Sequence, residues 1–111
     1  MTDTRRAPKL PLAPRDLLIL AVLADGPNHG YGLIKEVENR SDDDVRLDPA
    51  NLYRALRRLR DAGWIEDEPK RDGTRRTHRL TRSGRLVLHA EVERLERLLQ
   101  QTRPALAGGK Q

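Results

Sequence analysis

The side chains best suited to chemistry in this sequence are the arginines within residues 48–64, DPANLYRALRRLRDAGW. A guanidinium group binds phosphate oxygens, and it also pairs through two N–H groups with the edge of a guanine base. At 100° per residue, a helix over this segment places Leu52 and Leu56 on one side and Arg54 and Arg57 on the other. The pattern therefore predicts a helix that presents a cationic face to a polyanion.

Specific residues predict the limits of this helix. Asp48 is a preferred N-cap, and Pro49 suits the first helical position, where no amide partner is needed. Gly63 predicts the end, because glycine readily adopts the left-handed conformation that follows many helices. A helix of this length is marginal alone, so its leucines must pack on neighbouring elements.

The sequence shows no catalytic or metal-binding pattern. It contains no cysteine, and His29, His78 and His89 fall on different predicted elements without paired ligand spacing. The three aspartates at 42–44 lack the alternating ligands and the glycine of a calcium loop, and we interpret them as a solvated loop. Neither a serine with His and Asp partners nor a glycine-rich phosphate loop is evident. We therefore expect no enzymatic activity, no cofactor and no metal.

Positive charge is concentrated in one part of the chain. Residues 49–85 contain eleven Arg or Lys and five Asp or Glu, an excess larger than the net charge of +5 for all 111 residues. Such a region is typical of nucleic-acid binding, and a solvated arginine-rich surface is the alternative. The length allows one small domain. The apolar run at 17–23 is too short for a signal peptide or a membrane span, so we expect a cytoplasmic protein that does not enter membranes.

The order of predicted elements indicates the fold class. They are a helix over 14–24, a helix from 28 or 29 to 40, a short strand at 45–47, the arginine-bearing helix, hairpin strands at 64–68 and 75–80 around a turn at 70–74, and a long helix over 82–103. This order predicts a mainly α fold of the α+β winged helix-turn-helix type, with a three-helix unit, a two-stranded β wing and a long C-terminal helix. The predicted divisions are a flexible basic arm at 1–12, the winged unit at 13–81, the long helix at 82–103 and a disordered tail at 104–111.

The last helix carries a second apolar pattern. Leu88, Val92, Leu95 and Leu99 are spaced four, three and four residues apart, which is the a/d pattern of a coiled coil. Charged residues of both signs surround them. We expect these four residues to form the interface of a homodimer; packing of the helix against its own domain is the alternative.

Three motifs follow one another along the chain: HGYGLIKEVE at 29–38, LDPANLYRALRRL at 47–59 and RRTHRLTRSGR at 75–85. Together they resemble the PadR family of phenolic-acid-responsive transcriptional regulators. The chain departs from the family pattern at Ala50–Asn51, where Gly-Thr or Gly-Ser is usual, and at Thr77–His78, where the wing usually carries two aromatic residues. Its length after the wing resembles the short subgroup, which has a single C-terminal dimerisation helix.

The resemblance implies roles for individual residues. The third helix would enter the major groove of double-stranded DNA, and the wing would follow the backbone or minor groove. Asn51, Arg54 and Arg57 are the expected contacts to bases. The expected contacts to phosphates are Tyr31, Lys35, Tyr53, Arg58, Lys70, Arg71, Arg75 and Arg76. For Tyr31 a core position between the second and third helices is the alternative, and Trp64 is expected in the core.

The resemblance also implies a function. It indicates a homodimeric, sequence-specific regulator, in this family most often a repressor, on a roughly palindromic operator. Short relatives bind flat hydrophobic effectors against a tryptophan of the last helix, but no aromatic residue follows Trp64 here, which leaves open whether a small hydrophobic effector exists and where it binds. The alternatives are a winged-helix module that binds other proteins and an architectural protein that binds DNA without sequence preference.

Overall fold

The winged helix-turn-helix fold is confirmed in the computed structural model, which describes residues 10–69 and 76–107. The elements in chain order are α1 (Pro14–Ala24), β1 (Asn28–His29), α2 (Gly30–Arg40), α3 (Pro49–Asp61), β2 (Ile65–Glu68), β3 (Thr77–Leu80) and α4 (Arg82–Ala107). The apolar sides of α1, α2 and α3 meet in one core around Leu20, Leu33 and Leu56, which Val87 from α4 and Ile65 from β2 complete. Trp64 packs against this core, as the sequence predicts. The described helices include none that is both long and apolar enough to cross a membrane.

The limits of α3 follow the predicted signals. The Asp48 side chain accepts a hydrogen bond from the backbone N–H of Asn51 at 2.7 Å, as an N-cap does. At the other end Gly63 adopts a φ of 83°, and the Trp64 N–H donates to the carbonyl of Leu59 at 3.0 Å. This pair of features is the Schellman arrangement, which turns the chain sharply from α3 into the wing.

The sheet differs from the prediction. It has three strands in the order β1-β3-β2, because Asn28 and His29 pair with His78 and Thr77 of β3. The α2 helix consequently begins at Gly30, and the His29 Nδ1 caps it by accepting from the Gly32 N–H at 3.0 Å. The wing is therefore anchored to the start of α2 as well as to α3.

The prediction of a strand over residues 45–47 was wrong. The Val45 N–H donates to the Ser41 hydroxyl at 2.9 Å, and that hydroxyl also contacts the Val45 carbonyl at 3.2 Å, so Val45 forms local bonds to Ser41. Leu47 then inserts into the core, where it is buried. A serine-held turn with one apolar anchor connects α2 to α3.

The predicted terminal divisions also need correction. Leu12 was placed in a flexible arm, but it packs against the core and its N–H donates to Glu91 of α4 at 2.9 Å. The last helix was expected to stop at Arg103 before Pro104, yet it continues to Ala107 with Pro104 inside it. A proline inside a helix lacks the N–H for one backbone hydrogen bond. Here the loss falls in the last, exposed turn of α4, where few further turns depend on it. Residues 1–9, 70–75 and 108–111, which include the expected hairpin turn, lie outside the described part of the chain.

Glu91 is buried, contrary to the surface position that the coiled-coil pattern assigns to it. Its carboxylate is 1% exposed and accepts from the Arg94 guanidinium at 2.6 Å as well as from the Leu12 N–H. The bond from Arg94 holds the pKa of Glu91 below its usual value, and the Leu12 N–H acts in the same direction. The first half of α4 is therefore fixed to its own domain through a fully bonded buried carboxylate.

Candidate nucleic-acid interface

The outer face of α3 is exposed and cationic. Arg54 and Arg57 point away from the core, whereas Leu52, Leu56 and Leu59 are buried beneath them. The burial pattern predicted for this helix is thereby confirmed. A row of exposed guanidinium groups on a helix anchored at both ends can bind an anionic polymer.

At the start of α3 two of the three predicted base-contacting residues, Asn51 and Arg54, form one polar cluster with Asp48. The Asn51 amide donates to the Asp48 carboxylate at 3.1 Å, and the Asn51 side-chain oxygen accepts from the Arg54 guanidinium. The N-cap therefore orients Asn51, and Asn51 orients Arg54. This arrangement presents an amide and a guanidinium side by side at the start of α3.

A groove of about 530 Å³ lies between α3 and the wing, and it brings four guanidinium groups together. Arg54, Arg57 and Arg60 contribute from α3, Arg76 contributes from the start of β3, and Tyr53 lines the groove between them. Arg60 was missed by the sequence analysis. Its spacing provides a signal, because Tyr53, Arg57 and Arg60 follow each other by four and three residues and so share one flank of the helix.

The two predicted tyrosines are both at the surface. Tyr31 is 65% exposed, so the core position considered for it was wrong, and Tyr53 is 69% exposed. They line a second cavity, of about 540 Å³, between α2, α3 and β3. The Lys35 ammonium lies 5.8 Å from the centre of the Tyr31 ring, within the range of a cation–π interaction. The tyrosines and Lys35 thus extend the cationic surface from α3 onto α2.

The remaining predicted phosphate contacts are separated from this surface or not described. Arg58 lies on the other flank of α3, where its guanidinium donates to both oxygens of Asp16 in α1 at 2.9 and 3.1 Å. Lys70, Arg71 and Arg75 fall outside the described residues. The structure therefore brings together Asn51, Tyr53, Arg54, Arg57 and Arg76 with Tyr31 and Lys35 nearby, and it pairs Arg58 with α1.

At the base of the wing, Asp67 of β2 holds three partners. One of its oxygens accepts from Arg60 at 3.3 Å and lies 3.1 Å from the His78 Nδ1, while the other lies 3.8 Å from the Arg76 guanidinium. Because a carboxylate only accepts, His78 carries its proton on Nδ1 and donates. His78 is 4% exposed, and this burial lowers its pKa below the ordinary value of 6.5 despite the opposing effect of Asp67.

Burial of a neutral imidazole makes the stability of the fold depend on pH. Because the pKa of His78 is lowered in the folded chain, the unfolded chain binds a proton at a pH where the folded chain does not. The contribution of His78 to the free energy of unfolding is therefore complete above pH 6.5 and is lost as the pH falls below it. We expect the free energy of unfolding, measured in urea, to decrease between about pH 7.5 and about pH 5.5. His78→Gln, which retains an N–H donor without titrating, should flatten this decrease. The control is the same change at exposed His89 of α4, and an equally flattened curve there would contradict the assignment.

Comparison with protein families places most of the folded chain within one family model. Residues 19–90 match the model described as "Transcriptional regulator PadR-like family". Among curated proteins, the chain is 39% identical over 82 residues to an uncharacterised 37.1 kDa protein of transposon TN4556 from Streptomyces fradiae. That match covers 74% of this chain and 23% of the relative, so the chain spans about a quarter of the length of that protein.

Solved structures share the fold. A PadR family transcription regulator from Clostridium difficile R20291 superposes with a TM-score of 0.72 at 20% identity, covering 85% of this chain and 99% of that one. A PadR family transcriptional regulator from Eggerthella lenta gives 0.61 at 29% identity, with 87% of each chain covered. Bacillus subtilis PadR in complex with operator DNA also gives 0.61, at 25% identity, over 69% of this chain and 45% of that chain.

Proposed function

The chain belongs to the PadR-like family of transcriptional regulators, and we propose that it binds double-stranded DNA sequence-specifically as a homodimer on a palindromic operator. The observation that carries the proposal is the groove in which four arginines of α3 and β3 converge beside the exposed face of α3. The crystal structure of one neighbour with the same fold, Bacillus subtilis PadR, contains that protein in complex with operator DNA. The surface charge, the helix presentation and this neighbour all support the same mode of binding.

The proposed docking places α3 in the major groove. Asn51, Arg54 and Arg57 would contact base edges, because their side chains leave the outer face of a helix that is capped at both ends. The arginines on the wing side, Arg60 and Arg76, would contact one phosphate backbone. The other contacts to the backbone would come from Tyr31, Lys35 and Tyr53 and from Lys70, Arg71 and Arg75, whereas Arg58, which is paired with Asp16 on the other flank of α3, lies apart from them.

The homodimer would form through the second half of α4. Every described residue from Glu96 onward is exposed, including Leu98 and Leu99 at 48% each and Leu106 at 84%. Leu99 and Leu106 extend the side of α4 on which Leu88 packs against its own core, Leu98 lies on the flank of that side, and Val92 lines a shallow groove beside Leu88. A second copy, related by a two-fold axis, would cover such a stripe and place two α3 helices on successive turns of the duplex.

Repression would follow from occupancy of promoter DNA. A small hydrophobic effector would act only by preferring a dimer whose two α3 helices no longer match the operator spacing. Since α4 offers leucines and no Phe, Tyr or Trp, such an effector would bind through aliphatic contacts instead of stacking on a large aromatic ring.

Selection of duplexes from a random pool by the purified protein tests the proposal. We expect enrichment of an inverted repeat with half-sites about one helical turn apart. The logarithm of the affinity should fall with the logarithm of the salt concentration, by about 0.9 for each phosphate contact. Salt-dependent binding without enrichment would support the architectural alternative, and no binding at low salt would support the protein-binding module.

Arg54 provides a residue-level test. Because Arg54 lies beside Asn51 at the start of α3, Arg54→Ala should cost about 1–3 kcal/mol on the selected duplex and much less on a scrambled one. Arg97→Ala removes the same charge from the exposed surface of α4 and should change neither. Equal losses of affinity on both duplexes would show that Arg54 contacts phosphate instead of a base. The measurement is fluorescence anisotropy at fixed salt.

A further inference from the structure

The wing side of the cationic groove contains one carboxylate that is directed at its arginines. Asp67 lies on the face of β2 that looks toward α3, opposite His78 of β3 in the register of the hairpin. It contacts Arg60 and Arg76, the two groove arginines nearest the wing, and it is 39% exposed. Both arginines are therefore occupied by an internal anion in the free protein.

The other groove arginines are in a different state. Arg54 bonds to the neutral amide of Asn51, and Arg57 has no carboxylate within ion-pair distance among the described residues. Two guanidinium groups on α3 are thus not paired with a carboxylate, while two near the wing must first exchange a carboxylate for a phosphate. His78 donates to the same Asp67 oxygen as Arg60, which fixes the carboxylate in place.

We propose that Asp67 is a specificity-determining residue that competes with DNA phosphate for Arg60 and Arg76. This inference rests on the proposed function and adds a regulator of selectivity to it. On any duplex, binding to the backbone is favoured by every free cation and carries no sequence information. Asp67 removes two cations from that sequence-independent term. On the correct site, base contacts of α3 seat the duplex closely enough for phosphates to replace the carboxylate.

The test compares Asp67→Asn with the matched variant Glu66→Gln. Glu66 is the preceding residue of β2, on the opposite face of the wing, where it accepts from Arg79 at 2.7 Å. Both changes add the same charge, but only Asp67→Asn releases groove arginines. We expect Asp67→Asn to raise affinity for a scrambled duplex by roughly fivefold at low salt and to steepen the salt dependence by about 0.9 per released arginine. The preference for the selected duplex over the scrambled one should fall.

The outcomes are distinct. An equal gain in affinity in Glu66→Gln would overturn the inference, because net charge alone would explain the gain. A folded Asp67→Asn protein whose affinity for the scrambled duplex does not rise would overturn it as well. If Asp67→Asn does not fold, single glutamine variants of Arg57 and Arg60 decide the question on the scrambled duplex. The inference predicts that losing Arg57 reduces the salt dependence by about 0.9 and that losing Arg60 reduces it clearly less, whereas equal reductions would overturn it. A wild-type protein that binds no duplex would overturn both proposals, whereas failure of this inference alone leaves selective wild-type binding intact.

Discussion

Gly84→Ala is expected to lower the free energy of unfolding by about 3 kcal/mol, a large part of the stability of a small domain. Gly84 is buried in the first turn of α4, where a Cβ would lie 2.0 Å from the Trp64 carbonyl oxygen and 2.8 Å from a methyl group of Leu80. The Trp64 carbonyl cannot move away easily, because it accepts the N–H of Thr81 at 3.0 Å. The closest clash is therefore with a hydrogen-bonded backbone carbonyl, and rotation of the Leu80 side chain alone cannot relieve it.

The sign of this change separates packing from local propensity. Alanine is favoured over glycine within helices by up to about 1 kcal/mol, so propensity alone predicts that Gly84→Ala stabilises the protein. Ser83→Ala is the control, because Ser83 is exposed on the same turn and its replacement should stay within about 0.5 kcal/mol of wild type. Urea denaturation followed by circular dichroism measures both. A Gly84→Ala protein as stable as wild type would mean that α4 does not approach the wing this closely.

Local signals were sufficient to predict most helix limits. The bounds of α1 and α3 agree with the sequence because prolines, Asp48 and Gly63 act within one turn of their own positions. Strand β1 could not be predicted in this way, since its two residues form a strand only by pairing with β3 about fifty residues later. Burial of Glu91 was missed for the same reason, because its partner at Leu12 is 79 positions away.

The candidate interface was predictable in composition but not in arrangement. The helical period assigns Arg54 and Arg57 to the exposed face, and the structure agrees. The helical period does not reveal that the wing lies along the flank of Arg60 and that α1 lies along the flank of Arg58. Which arginine faces a carboxylate depends on tertiary packing between elements, and that packing is not encoded in the spacing of one helix.

The coiled-coil pattern of α4 combines two different environments. Near its start, Val87 is buried and Leu88 packs against the core of the same chain, so this part agrees with the folding-back alternative. From Leu95 onward the pattern continues past the domain, and Leu99 is 48% exposed. In the proposed dimer a second helix would cover these leucines, since burial of apolar surface stabilises association by roughly 25 cal/mol per Å² before the costs of assembly.

Leu99→Glu is expected to convert the proposed dimer into a monomer and to lower affinity for a palindromic duplex by about a hundredfold, since a monomer loses the effective concentration that links two half-sites. Because Leu99 is half-exposed, its replacement leaves the core of each chain intact, and thermal unfolding should confirm this. Gln101→Glu introduces the same charge on the opposite side of α4 and should retain both the mass and the affinity of wild type. Sedimentation velocity and anisotropy measure the two properties. A Leu99→Glu protein that sediments as wild type would show that Leu99 forms no contact between copies.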